Sequence, residues 1–471
     1  MSQNRPASYR SLFVGVDTQV PLLDGSERIY INLDNAASTP ALSAVQIAIN
    51  NFLPYYSSVH RGTGFKSQLS THVYEEAREA VMRFLSADPN DHTCVFGKNT
   101  TEAINKLARR FPFNAERNVV LISGMEHHSN DLPWRGVATT VHVALTPDGR
   151  LDEADFDRQL QRLADRVALV AISGASNVTG FINPIHRLAE KAHAAGAQFL
   201  ADCAQLAPHR KVNMLPLDDP AHLDYVSISA HKMYAPFGTG ALVGRRDTFE
   251  RGDPDMRGGG TVEIVTLDDV VWAEPPDREE AGSPNTVGAV ALATAIAQLE
   301  AIGMDQVAAH ETELTAHALE KLQAIHGIHI FGDQNPNHAA DRVGVIPLLL
   351  THISHFKAAA ILGCEYGIGV RSGCFCAHPY ILHLLGLSQE EVKAVQKRML
   401  ANDRSNMPGM IRVSFGLYNT LDDVDALVAA FQHVADGEYH GQYIQNIATG
   451  EYTPIGWQPE YEQYFTLAQK R

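Results

Sequence analysis

Between residues 118 and 244 the chain repeats one pattern, a short apolar run followed by a longer polar or amphipathic stretch. Residues 118–123 (NVVLIS), 167–173 (VALVAIS), 198–201 (QFLA) and 225–229 (YVSIS) are such runs, and 240–244 (GALVG) is a candidate fifth. Apolar runs this short read as strands buried on both faces. Between the second and third lies 183–196, with Ile185, Leu188, Ala189 and Ala192 at helical spacing. There Asn183 is expected to cap the helix, Pro184 to sit in its first turn and Gly196 to end it. Strand and helix in alternation imply an α/β fold whose sheet is mostly parallel, with helices on both faces.

The pattern changes near residue 305. Residues 310–325 are helix-like, 343–350 strand-like, 355–363 helix-like, 412–415 a short strand and 421–434 a helix. This is an α+β arrangement, expected to form a smaller C-terminal domain. The expected division is an N-terminal arm (1–30) packing with the small domain, a large domain (31–304), the small domain (305–436) and an extension (437–471). The extension, rich in Tyr, Gln and Gly, reads as a packed or irregular tail.

Several function classes fall away on composition. With 54 acidic against 38 basic residues the formal net charge is −16, unsuited to nonspecific binding of nucleic acid. The N-terminus has no apolar core of signal-peptide length. The most apolar stretch, 287–304, is interrupted by Thr294, Gln298 and Glu300 and reads as a buried helix, with no membrane association expected. The five cysteines, Cys94, Cys203, Cys364, Cys374 and Cys376, are odd in number and sparse, which fits a reducing cytoplasm better than a disulfide framework.

The strongest local signal is Ser229-Ala-His-Lys232 directly after an apolar run, at the carboxyl end of an expected parallel strand, where α/β sheets place ligands. Asp202 stands at another such end. A lysine able to form a Schiff base and an acid able to pair with a pyridinium nitrogen are what pyridoxal phosphate requires. Taken singly, Lys232 also reads as a surface lysine and Asp202 as a helix cap. Thr100-Thr-Glu102 opens a helix to Arg110, a place where hydroxyls and amides receive anions or simply cap. Glu126-His-His128 and Ser176-Asn-Val-Thr-Gly180 follow two more runs, so successive strand ends carry polar groups able to surround one cofactor.

Ten fragments occur in family order: LDNAAST (33–39), SVHRG (58–62), NTTEAIN (99–105), MEHHSN (125–130), SNVTG (176–180), ADCAQ (201–205), SAHK (229–232), GSPNT (282–286), RSGCFCA (371–377) and RVSFGLYNT (412–420). On these the chain resembles the class V aminotransferase-fold pyridoxal-phosphate enzymes, and within them the SufS-like (group II) cysteine desulfurases. The resemblance implies fold type I, with the cofactor in the large domain. It implies that Lys232 holds pyridoxal 5′-phosphate and moves the Cα proton, that Asp202 pairs with the ring nitrogen and that His127 stacks on the ring. Asn177 and Gln205 would lie at the ring's 3′-oxygen, and Thr101, Ser229 and His231 at the phosphate. Ser283 would reach the neighbouring subunit's phosphate, which implies a homodimer. Arg412 would clamp the carboxylate of the L-cysteine substrate, with Arg371 and Arg61 also on the substrate side. Cys376 would take the substrate sulfur as a persulfide for an acceptor, releasing alanine, with Arg371 favouring its thiolate.

The chain departs from the SufS-like pattern at Cys374, where those enzymes usually carry histidine. GCFC, LLGLS (384–388) and NMPGMIRVSFG (406–416) resemble molybdenum cofactor sulfurases, which opens a cofactor-type sulfur acceptor as an alternative. Cys374, Cys376 and His378 alternate, which would put them on one face of an extended segment. Zinc sites commonly leave two or more residues between cysteines, so no metal is assigned. A C–S β-lyase, an aminotransferase or an epimerase of the same fold is the other alternative. A noncatalytic regulator is disfavoured by the acidic charge and the intact lysine, aspartate, cysteine and arginine.

Overall fold

The computed structural model describes residues 9–467. Seven strands build the large sheet: β1 (His92–Gly97), β2 (Val119–Ser123), β3 (Thr139–Val143), β4 (Val167–Ser173), β5 (Gln198–Asp202), β6 (Tyr225–Ser229) and β7 (Gly240–Arg245). Their order is β1-β7-β6-β5-β4-β2-β3. Only β7 runs against the rest. The reason is chain length: residues 230–239 are too few for the crossover a parallel return needs. The α/β reading therefore holds, and every residue of β2, β4 and β6 is buried, as central strands with both faces covered require. Strand β3 had no sequence signal because TTVHV, at the sheet edge, is exposed or half-exposed at four of its five residues and lacks an apolar run.

Helix α1 (Thr100–Arg110) begins and ends where expected, with Asn99 Oδ1 accepting from Glu102 N at 3.0 Å. Helix α2 (Ile185–Ala194) corrects one detail. Pro184 takes the cap position without a side-chain bond, while Asn183 instead donates through Nδ2 to Ser173 O at 2.8 Å. Asn183 thus ties the α2 entry to the end of β4. Gly196 has φ +74°, the left-handed conformation that stops the helix. The apolar stretch forms the buried helix Thr286–Ile302. No single described helix is long and apolar enough to cross a membrane; only this helix and Met304–Leu322, bent by 78°, reach that mark together.

The second sheet is antiparallel: β8 (Ile328–Ile330), β9 (Val345–Leu350), β10 (Arg371–Gly373) and β11 (Met410–Ser414), in the order β8-β9-β11-β10. It shares a separate apolar core with Leu314, Leu319, Ile361, Leu427 and Phe431 from three helices. Leu23 N, in the N-terminal stretch, donates to Cys364 O at 2.8 Å. The stretch after 437 carries a short hairpin, Tyr443–Gln445 with Tyr452–Pro454, that no sequence pattern announced.

Candidate active site

A 240 Å³ cavity opens where the carboxyl ends of β4, β5 and β6 face β11. Asp202, the last residue of β5, is 4 % exposed, and its carboxylate accepts one hydrogen bond, from Ala204 N at 3.0 Å. Burial raises its pKa, opposed by that bond and by the Lys232 charge. Such a carboxylate calls for a cationic N–H partner. Lys232, in the turn after β6, has no hydrogen bond or ion pair among the described residues and lines the same cavity. Desolvation brings its pKa down to about 8, with Asp202 pulling the other way. A buried acid short of partners and an amine easily made neutral fit the ring nitrogen and aldehyde of pyridoxal phosphate.

The anion end fits as well. Thr100 N donates to Ser229 Oγ at 2.9 Å, which pins the start of α1 against the end of β6. Thr101 Oγ1 lies 2.6 Å from Ser129 Oγ. Asn99, Thr100, Thr101, Ser129, Ser229 and His231 all line the cavity, so hydroxyls converge on a helix N-terminus suited to phosphate. The Ser229 hydroxyl also donates to Thr100 Oγ1 at 3.2 Å, so it positions that helix start. Burial, then the Lys232 charge, bring the His231 pKa down to about 4.

His127 Nδ1 accepts from Ser129 N at 3.1 Å, leaving its proton on Nε2. Burial, then Lys232, push its pKa down to about 3, so the ring is neutral. Asn177 Nδ2 donates to Phe375 O at 2.7 Å and Gln205 Nε2 to Ala36 O at 2.7 Å. Both line the cavity, and each amide nitrogen keeps a second N–H beyond the one bonded to the wall.

The opposite wall comes from the second sheet. Arg412 on β11 donates from Nη2 to Asp34 at 2.9 Å and from Nη1 to Asn177 O at 3.0 Å. Its guanidinium lies 4.9 Å from the centre of the Phe375 ring, and its Nε is buried without a partner. Burial lowers its pKa, opposed by Asp34. Arg371 is exposed at the rim, 3.6 Å from the same Asp34 carboxylate. Cys376 is exposed and lines the cavity.

The expected extended run from Cys374 to His378 is not formed. Phe375 and Cys376 have φ +52° and +54°, so the chain coils and the alternation no longer sets one face. Cys374 turns inward, with Sγ donating to Pro408 O at 3.0 Å, and burial pushes its pKa up to about 12. His378 stacks on His128, with ring centres 5.0 Å apart. Arg61 and Ser283 do not reach the cavity of their own chain: Arg61 donates to Val262 O at 2.5 Å, and Ser283 is exposed. Sequence reasoning gave no role to Asp34, Ser129 or Phe375. Asp34 lies within LDNAAST, yet a lone acid after a strand reads as a turn residue.

The family model for class-V aminotransferases matches residues 31–427. A probable cysteine desulfurase of Halalkalibacterium halodurans is 34% identical over 440 residues, 92% of this chain and 98% of that protein. One from Halobacterium salinarum is 34% identical over 86% of this chain and 91% of its own. Among solved structures, the cysteine desulfurase of Thermococcus onnurineus NA1 superposes with a TM-score of 0.75 at 31% identity, covering 87% of this chain and 95% of that one. Escherichia coli CsdA gives 0.75 at 29% identity, covering 92% and 98%.

Proposed function

The chain belongs to the class-V aminotransferase family, among its cysteine desulfurases, and we propose that it converts L-cysteine to L-alanine with the sulfur captured on Cys376. The observation that carries this reading is one cavity lined by Lys232, Asp202, Arg412 and an exposed Cys376. Pyridoxal phosphate, when bound, supplies an electron sink for bonds at the amino acid's Cα. Lys232 would hold it, Asp202 would face the ring nitrogen, His127 the ring, and Thr101, Ser129 and His231 the phosphate.

Lys232, poised near neutral pH, can both release and accept a proton beside the cavity. Arg412, fixed by Asp34 and Asn177, orients the substrate carboxylate, with Arg371 at the rim. The Cys376 thiolate attacks the cysteine sulfur. Its C–S bond breaks, the carbon takes up a proton, and alanine leaves with a persulfide on Cys376. Because Cys376 is exposed, an acceptor thiol or sulfur-accepting cofactor can reach that persulfide.

Arg61 and Ser283 support a homodimer in this reading. Both stand outside their own cavity, and the hairpin strand Val262–Val265 that Arg61 contacts exposes Ile264 and Val265. The partner would cover that surface and receive these two residues. A division into a large cofactor-binding domain to residue 304 and a small domain from 305 belongs to the same reading. So does a cytoplasmic setting, which the five free cysteines suit.

The test is the carbon product from L-cysteine with loaded enzyme and a reductant. Alanine and sulfide formed in step is the expected result. Pyruvate with ammonia would move the protein to the β-lyases.

A further inference from the structure

The carboxyl rim of the large sheet holds the cavity, but a second polar cluster sits at the amino rim, roughly 15 Å of strand away. Asp224 immediately precedes β6, His222 lies two residues before it, and His193 is in the last turn of α2. The ligand atoms of the three lie within 4.8 Å of one another. His193 Nε2 is 2.8 Å from Asp224 Oδ2, and His222 Nε2 is 3.3 Å from Oδ1. The two rings are stacked, 4.0 Å apart and 15° from parallel.

The tautomers follow from the other nitrogens. His193 Nδ1 donates to Pro220 O at 2.7 Å, and His222 Nδ1 to Asp219 O at 2.6 Å. A carbonyl only accepts, so each Nδ1 carries the hydrogen, and in a neutral ring each Nε2 presents a lone pair. Two lone pairs then face one carboxylate that is 1 % exposed, an arrangement that needs positive charge among them. One proton would pair a single imidazolium with Asp224 and leave the other ring's lone pair against the carboxylate, and two would set imidazolium rings face to face. One divalent cation would serve all three ligands once the two rings splay from their stack, and Nδ1–H bonded to a backbone carbonyl is how metal-ligating histidines are commonly oriented.

The surroundings leave that charge wanted. Arg245 Nη1 donates to Asp224 Oδ1 at 3.3 Å, but the same guanidinium also donates from Nε and Nη2 to both oxygens of Asp247 at 3.1 and 3.0 Å, so one positive charge is shared by two carboxylates. Phe199 N also donates to Asp224, at 2.7 Å. Opposite Arg245 in the β1–β7 ladder stands His92, fully buried, with Nδ1 towards Asp88 O at 3.2 Å and Nε2 without a partner. A third imidazole with a free nitrogen thus lies beside the cluster.

We propose that His193, His222 and Asp224 bind a divalent transition-metal cation of the zinc type, separate from the catalytic cavity. Two imidazoles and a carboxylate suit zinc or cobalt rather than magnesium or calcium, which prefer all-oxygen sites. The cation would tie α2 to the segment leading into β6, a structural role distant from the chemistry.

The test uses the full, tag-free, pyridoxal-phosphate-loaded chain after chelator treatment, without cysteine present. Cobalt(II) should bind saturably at one per chain, with visible absorption of a nitrogen–oxygen site, and Zn2+ should displace it and raise the melting temperature. His193→Gln, or His222→Gln should the first misfold, should weaken cobalt binding by about 10–100-fold or more. Both variants keep Cys376, so any metal on that thiolate cancels in the comparison. No saturable cobalt absorption in the parent protein, or equal affinity in both histidine variants, would overturn the proposal.

Discussion

The two walls of the cavity are built on different terms. The wall from the large sheet is composed of strand ends, and apart from Lys232 most of its polar groups are braced: Ser229 against Thr100, Ser129 against His127, Gln205 against Ala36. The wall from the second sheet ends in a loop whose two consecutive residues, Phe375 and Cys376, take left-handed φ. Such a conformation costs about 1–2 kcal/mol per residue outside glycine. Asn177 bonding Phe375 O at 2.7 Å, His128 N bonding Cys376 O at 2.8 Å and Arg412 against the Phe375 ring hold it there. Rigid strand ends suit a group that stays. A coiled loop with an exposed sulfur suits an atom that must leave.

This contrast predicts a separation of functions. Cys376→Ser should lower alanine formation by about 10³-fold or more, the scale of losing a nucleophile, while the bound-cofactor absorption band stays intact. Asp202→Asn should instead disturb that band and lower activity by about 10²–10³-fold. If Cys376→Ser emptied the enzyme of cofactor, the two walls would not be separable.

Next in size is Arg412→Lys. Lysine keeps the charge but loses the fork that spans Asp34 and Asn177 O. A hydrogen bond to a charged group contributes about 1.5–3 kcal/mol, so kcat/KM for cysteine should fall roughly 10–100-fold, chiefly through KM. An unchanged KM would remove Arg412 from substrate binding.

The smallest effect sharpens the cofactor wall. With its pKa brought down from 10.5 to about 8, Lys232 is uncharged in roughly a tenth of molecules at pH 7, against far less than one per cent for an ordinary lysine. Its neutral form alone can attack an aldehyde, and that form gains as pH rises. The rate of cofactor loading by apoprotein should therefore rise roughly fivefold from pH 7 to 8 and level off above pH 9. A rate still climbing at pH 10 would mean an unperturbed lysine.

The same division governs what the sequence disclosed. The large-sheet wall was legible because each group follows an apolar run, so alternation alone put Asp202, Ser229 and Lys232 at strand ends. The second wall was less so. Cys376 was found through RSGCFCA, but its conformation was misjudged, because alternation in CFCAH suggested extension and nothing local specified two left-handed residues. The contacts that impose them come from Asn177 and His128, about 200 and 250 residues away in sequence. Asp34, which holds Arg412 and approaches Arg371, was hidden likewise, since its partners sit 378 and 337 positions later. The reversed direction of β7 followed from the shortness of segment 230–239, a constraint available before any coordinates.

The most direct test of the central claim is the mass of the loaded enzyme after a single exposure to L-cysteine, with peptide mapping and alanine measured in the same sample. One sulfur atom added on the peptide at Cys376, matched by one alanine per site, is the predicted result. Sulfur on Cys374 alone, or alanine formed with Cys376 unmodified and replaceable by serine, would contradict it.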